Sequence, residues 1–410
     1  MMTFQEKMEQ YAELTVHVGL NVQKGQIILI NTTTDTVEFT RLVVKKAYEA
    51  GAKRVHVNYA DPVHTRDHYE LAPDEAFNEY PEWSVVQRDE IIKTGGSFLW
   101  IDAEDPDLLT GIPTKRLSDS QKSAGKALEN YRQAVGSDKI AWSIIAIPSK
   151  KWAEKVFPDL ESDQQIEALW NAIFKTVRIG EGDAVQKWTD HVEHLETRAA
   201  QLNEKRFAKL HYTAPGTDLT ISLPEKHLWL TGAAKTPQGN SFIANMPTEE
   251  VYTVPAKYGV EGFVRNTKPL VYQGNIIDDF TLTFEKGKIV KAEAGVGQEL
   301  LDEMIQSDEG AAYLGEVALV PHESPISDAN ILFYNTLFDE NASNHLAIGD
   351  SYPTCYEGAR DLERTQLESI GLNTSIVHED FMIGSGEMSI DGIYEDGSSE
   401  PVFRNGNWAF

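Results

Sequence analysis

The sequence predicts an α/β N-terminal domain on a doubly wound, mainly parallel sheet, followed by an α+β C-terminal domain with a mixed or antiparallel sheet. Two patterns carry that expectation. The first part alternates continuous apolar runs with helical stripes, and the part beyond Phe207 alternates apolar and polar residues at a period of two. At 410 residues the chain is long for one domain. GEGD at 180–183 supplies a break, so the expected domains are 1–182 and 183–410.

Taken in order, Gly25 leads into QIILINTTT, a run of the kind that a strand buried on both faces needs. Asp35, with Glu38 three residues on, reads as a capping box. Phe39, Val43 and Ala47 share one helical face behind it, and Gly51 stands where a helix C-terminus favours glycine. RVHVNYA (54–60) is the next strand. SFLWIDAED (97–105), after a Gly95-Gly96 turn, and IAWSIIAIPS (140–149) repeat the pattern. Strand, helix, strand in this order makes a parallel sheet covered on both faces.

Residues 162–206 are mainly helical. SDQQIEALWNAIF carries a core or subunit-interface stripe, and Val185, Trp188, Val192, Leu195, Ala199 and Leu202 follow a 3,4,3,4,3 spacing. Past Phe207, TDLTISLP alternates Leu219, Ile221 and Leu223 with polar residues. DFTLTFEKGKIVKAEA reads as a hairpin with Phe280, Leu282 and Phe284 on one face and Lys286-Gly287 at its turn. A helix is expected over 297–307.

Composition narrows the partners. The 64 acidic and 37 basic residues give a formal net charge of −27. Nucleic acid is repelled, because its binding relies on Lys and Arg neutralising phosphates. An anionic membrane is disfavoured for the same reason, while a metal ion or free amino group is attracted. Cys355 is the single cysteine, so neither an internal disulfide nor a thiolate metal cage can form. The opening MMTFQEKMEQYAELTVHVGL lacks a signal-peptide core. No run approaches the ~18 apolar residues of a bilayer span. The expected location is the cytoplasm.

Acids and imidazoles in the C-terminal part make it the candidate metal-binding domain. His378 and Asp380 stand in NTSIVHEDFMIGS. On a strand they share one face, with Glu379 on the other. They could bind one metal together or serve one each of two. Glu340 and His345, in TLFDENASNHLAIG, are five apart, a gap that suits a bend or helix start. Glu316 is an isolated acid in the apolar YLGEVALV, where it needs a cation partner. Glu250 lies in ANMPTEEVYTVP between Pro247 and Pro255. Four carboxylates and two imidazoles balance two divalent ions better than one. Such ligation suits zinc, cobalt or manganese without selecting among them.

The strings NMPTEEVYT, LGEVALV, TLFDENASNHLAIG, SYP and HEDFMIGSGEMSIDG resemble those of the thermophilic aminopeptidases (aminopeptidase T, aminopeptidase S and PepS, the M29 metallopeptidases). The opening YAELTVHVGLNVQKGQ extends the resemblance over nearly the whole chain. It implies release of N-terminal residues from peptides with a free N-terminus, using two divalent ions (zinc, cobalt, manganese or magnesium). Matched string by string, it implies that Glu250, Glu316, Glu340, His345, His378 and Asp380 are the ligands. Tyr352 is implied as a catalytic residue that is not a ligand. The family also implies a homodimer. Two positions depart from its pattern: Asn344 stands where Cys is expected, and Glu379 places an acid between two ligands.

Glu249 or Glu250 is the expected proton carrier. His191 and His194, with Glu193 and Glu196, read as the polar flank of an amphipathic helix, and His56, His64 and His68 as surface or core residues. GSGEMSIDG lacks the GxxxxGK[ST] pattern of a phosphate loop. Two rival functions share the donor set: a metal-dependent deacylase or amidohydrolase acting on a non-peptide substrate, and a non-catalytic metal- or peptide-binding protein.

Overall fold

The computed structural model describes residues 2–180 and 182–410; Met1, and Glu181 of the GEGD break, lie outside the described residues. Two compact units make up the chain. The first comprises residues 1–112, 127–194 and 232–248, and the second 113–126, 195–231 and 249–410.

The first unit is built on a parallel sheet. Ile27–Thr33 is flanked by Arg54–Ala60 on one side and Ser97–Asp102 on the other, and Ala141–Ala146 follows Ser97–Asp102. The chain thus begins in the interior of the sheet and winds outward in both directions. The two-residue strand Asn245–Met246 adds to the far edge, parallel to Ala141–Ala146. Leu29 pairs with Phe98, and Ile91 of the helix Glu82–Lys93 and Ala134 of Glu129–Gly136 pack against them. Ile28, Ile30 and Leu99 alternate with these and are equally buried, so both faces are covered. Gly51, at φ +100°, follows the helix Val37–Glu49.

The capping box at Asp35 does not form. Thr34–Thr36 makes a tight turn, and Thr36 becomes the cap with no side-chain hydrogen bond. A capping box occurs instead at Thr3 and Glu6, at the start of Phe4–Leu14.

The second unit is antiparallel throughout its sheets. In its larger sheet, Asn275–Glu285 and Lys288–Val296 form the expected hairpin. Lys286 and Gly287 turn it with φ +49° and +81°, the left-handed pair that a two-residue hairpin loop uses. Phe280, Leu282 and Phe284 point into the core, as do Leu219 and Ile221 of Thr217–Ser222. The other sheet has five strands in the order His378–Met382, His345–Gly349, Leu314–Leu319, Val251–Thr253 and Leu230–Thr231. All six residues of Leu314–Leu319 are buried, Glu316 included. Among the described residues, no helix is long and apolar enough to cross a membrane.

Candidate metal centre

The five-stranded sheet assembles the donors by register. Glu316 pairs with Ala347, and Ala347 pairs with Asp380, which makes one row across three strands. His378, two residues from Asp380, pairs with Gly349. His345 pairs with Ala318 on one side and Met382 on the other. Side chains alternate along a strand, so Glu316, His345, His378 and Asp380 occupy one face. The positions between them on that face are Ala318, Ala347 and Gly349, and these small residues leave room for the long donors to converge.

Glu250 immediately precedes Val251–Thr253, whose Val251 pairs with Leu319 of the Glu316 strand. Glu340 opens the short 3-10 turn Glu340–Ala342, and His345 then starts its strand, so the five-residue gap is a bend as expected.

Two triads result. Glu250, Glu316 and His345 each offer one ligand atom within 4.8 Å of the others, and Glu316, His378 and Asp380 do the same. Glu316 belongs to both. His345 Nε2 lies 3.0 Å from Glu250 Oε2, and His378 Nε2 lies 3.3 Å from Glu316 Oε2 and 3.7 Å from Asp380 Oδ2. Glu340 is buried beside them and belongs to neither triad. The Asn341 amide donates to its Oε1 at 3.2 Å, and its charge acts on His345.

Crowding shows in the protonation of these groups. Burial drives the Glu316 carboxyl up to about 7, although the His378 ring beside it pulls the other way. Burial, and then Asp380, holds Glu340 well above the carboxylate range. The imidazoles go up despite burial, which by itself lowers them. Asp380 and Glu316 bring His378 to about 10, and Glu250 and Asp380 raise His345 well above its ordinary value. Carboxyls and imidazoles this close together in a buried setting form a donor set suited to a cation.

The residues fit divalent ions on two further counts. Each imidazole directs Nδ1 at a backbone carbonyl, His345 at Ser343 O (3.1 Å) and His378 at Asp350 O (2.7 Å). That contact fixes the tautomer and turns Nε2 into the triads, as in metal-binding histidines. Asp380 Oδ1 is buried and has no hydrogen-bond partner, which is costly for a carboxylate oxygen unless a cation takes it.

Tyr352 is half-buried beside His378. Its ring meets His378 edge-on with centroids 4.8 Å apart, and meets Tyr252 at 5.8 Å. Burial first, then Glu316 and Asp380, push its phenol well above 10, so the hydroxyl keeps its proton.

Sequence reasoning did not find the supports. The Asn341 carboxamide accepts the Glu249 backbone N–H at 2.8 Å and donates to Leu337 O and Glu340 Oε1, joining two donor-bearing segments. The only local signal was an amide next to Glu340. Gly349 is fixed twice over, by a φ of +105° and because a Cβ there would meet Val377 O at 2.1 Å. A Cβ on Gly315 would meet Asp350 O at 2.1 Å. Asn344 stabilises the same strand as its Oδ1 accepts the Val320 N–H at 2.9 Å. Glu379 faces away from the triads, and burial followed by the Asp380 charge takes it up to about 8.

The other histidines stay apart from this cluster. His194 is exposed, as are His56, His64 and His68. His191 departs from the exposed flank expected of it: it is half-buried, donates to Thr248 O at 2.7 Å, and accepts from the Arg178 guanidinium at Nδ1. Burial and Arg178 lower it to about 4.

Known proteins similar to this chain along its whole length are aminopeptidases. The chain is 54% identical to aminopeptidase AmpS of Bacillus subtilis, with both chains covered completely. It is 46% identical to aminopeptidase 2 of Geobacillus stearothermophilus over 99% of this chain and 98% of that one. The solved structure of wild-type AmpT from Thermus thermophilus superposes over the whole of both chains with a TM-score of 0.91 at 38% identity. Residues 4–408 match the thermophilic metalloprotease (M29) family, and the chain belongs to it.

Proposed function

We propose that this chain is a metal-dependent aminopeptidase, releasing N-terminal residues from peptides at a dinuclear centre formed by Glu250, Glu316, Glu340, His345, His378 and Asp380. The observation that carries this reading is the pair of triads meeting at Glu316, each with an imidazole locked through Nδ1 to a carbonyl. Two ions supply Lewis acidity toward the scissile carbonyl and a water that is nucleophilic at neutral pH. Oxygen-rich ligation with two imidazoles accommodates zinc, cobalt, manganese or magnesium.

The chain's own groups do the rest. Tyr352, held neutral, donates a hydrogen bond to the oxygen on which negative charge develops. Carrying the proton to the leaving amine falls to Glu249 or Glu250, adjacent and both buried, with the Glu249 backbone anchored by Asn341. The surplus of carboxylates favours a substrate whose N-terminus is a free amine.

The helix Pro62–Leu71 buries no side chain, and Val63, Leu71, Trp83 and Val86 are exposed apolar residues, which supports a homodimer. Cys355 is buried and is the single cysteine of the sequence, so no internal disulfide forms, which suits the reducing cytoplasm.

A matched pair of substrates tests the reading. An aminoacyl anilide with a free amine is hydrolysed and its N-acetylated form is not. Chelation abolishes the activity, and added divalent metal restores it. Hydrolysis of the acetylated form at an equal rate would make the protein a deacylase. Activity indifferent to chelator would remove the metal from the mechanism.

A further inference from the structure

A second feature of this unit has no place in the chemistry above. A cavity of about 460 Å³ is lined by Lys268, His322, Asn330, Ser343 and neighbouring residues. Its size is that of a small-ligand pocket. Ala342 and Ser343 form part of the wall, and they lie on the bend between Glu340 and His345. Thr267, next to Lys268, is tied to the other donor strand: its N–H donates to Met382 O and its hydroxyl to Gly384 O, both at 2.8 Å. The cavity is therefore framed by the two segments that present His345 and Asp380.

Lys268 is the one fixed positive charge among the described lining residues. Its side chain is 23% exposed, and the acid nearest its ammonium is Asp339, at 3.9 Å, beyond hydrogen-bond reach. Asp339 is satisfied elsewhere, accepting the Phe333 and Asn335 backbone N–H groups at 3.1 Å. Asp339 thus holds the ammonium at the wall without occupying its hydrogens. A largely buried ammonium with donors to spare, in a chain of net charge −27, is a site for an anion.

Given the proposed reaction, we infer that Lys268 receives the C-terminal carboxylate of a short peptide whose N-terminus lies at the metal centre. Asn330, exposed on the cavity wall, offers its carboxamide to the intervening peptide. On this account Lys268 sets substrate length and discriminates peptides by their free acid end. It takes no part in bond cleavage.

The experiment measures kcat/KM of the metal-loaded protein for a tripeptide free acid and for the same tripeptide amidated at its C-terminus. The wild type is expected to favour the acid by about tenfold or more, the scale of a charge-assisted hydrogen bond. In Lys268→Gln the ratio falls to near one, chiefly through a higher KM for the acid, and Lys268→Arg restores part of it. A wild-type ratio near one overturns the inference. So does a Lys268→Gln protein in which both substrates fall in parallel with the ratio kept, since that is loss of the Asp339 pairing alone. If Lys268→Gln does not fold, the wild-type ratio and Lys268→Arg decide. A wild type inactive on both tripeptides and on a free-amine aminoacyl anilide would instead bring down the aminopeptidase reading, and this inference with it.

Discussion

The central strands of the parallel sheet in the first unit and of the five-stranded sheet in the second are largely buried but differ in what they bury. In the central parallel strands apolar residues fill both faces: Ile28, Leu29, Ile30, Phe98 and Leu99 are at most 1% exposed. In the other sheet a strand equally buried holds Glu316, and its neighbours add His345, His378 and Asp380 on the same face. A sheet accommodates these groups there because the intervening positions are Ala and Gly and because each imidazole stands beside a carboxylate. Burial alone does not distinguish a core from a reaction centre; the size of the residues between the donors does.

The severest way to break this contrast is Glu316→Ala. Because Glu316 stands in both triads, bound metal and activity should disappear together, and metal analysis of the purified variant checks it. Retention of two ions per chain would show that Glu316 is an ordinary buried acid. Tyr352→Phe comes next: it should keep its metal and lose on the order of 10² to 10³ in kcat. Empty sites in that variant would make Tyr352 a structural residue.

Ala347→Val adds bulk between Glu316 and Asp380. It should cost about 1–3 kcal/mol of stability by overpacking and weaken metal binding as well. Ile30→Val in the parallel sheet should cost about 0.5–1.5 kcal/mol and leave metal binding unchanged. Denaturant midpoints and metal titrations on the two variants measure the difference between the sheets directly.

The smallest effect concerns a histidine of the first unit. His191 is lowered to about 4 in the folded protein, so between its ordinary 6.5 and 4 the unfolded chain binds more protons. Its contribution is complete above about 6.5 and is lost as pH falls toward 4, at most about 3 kcal/mol. Melting temperature followed from pH 7 to 4 should fall less steeply in His191→Asn.

The same contrast explains what could be read from the chain. RVHVNYA was legible to the residue as a strand, because Val55, Val57 and Tyr59 alternate with Arg54, His56 and Asn58. The hairpin at Lys286-Gly287 was legible because its turn demands positive φ at both positions. Asp35 misled because a tight turn moved the helix start to Thr36. The pairing of Asn245–Met246 with Ala141–Ala146 left no trace, since two residues carry no period and the partner is about a hundred positions away. The donors were recognisable as chemical types in suggestive settings, and His378 and Asp380 could be placed on one face by alternation. That Glu316 and Asp380 meet across Ala347 depends on register between distant strands. The roles of Asn341 and of the Ser343 and Asp350 carbonyls likewise exist only once the chain has folded.

Gly349 carries a consequence for any attempt to reshape this protein. No L side chain suits its backbone angle, and even a methyl group would run into Val377. In a library covering every single replacement, this codon should be nearly blank, alongside those of the donors themselves. The space for catalytic novelty is therefore confined to walls such as the one bearing Lys268, where variants can drift without dismantling the frame.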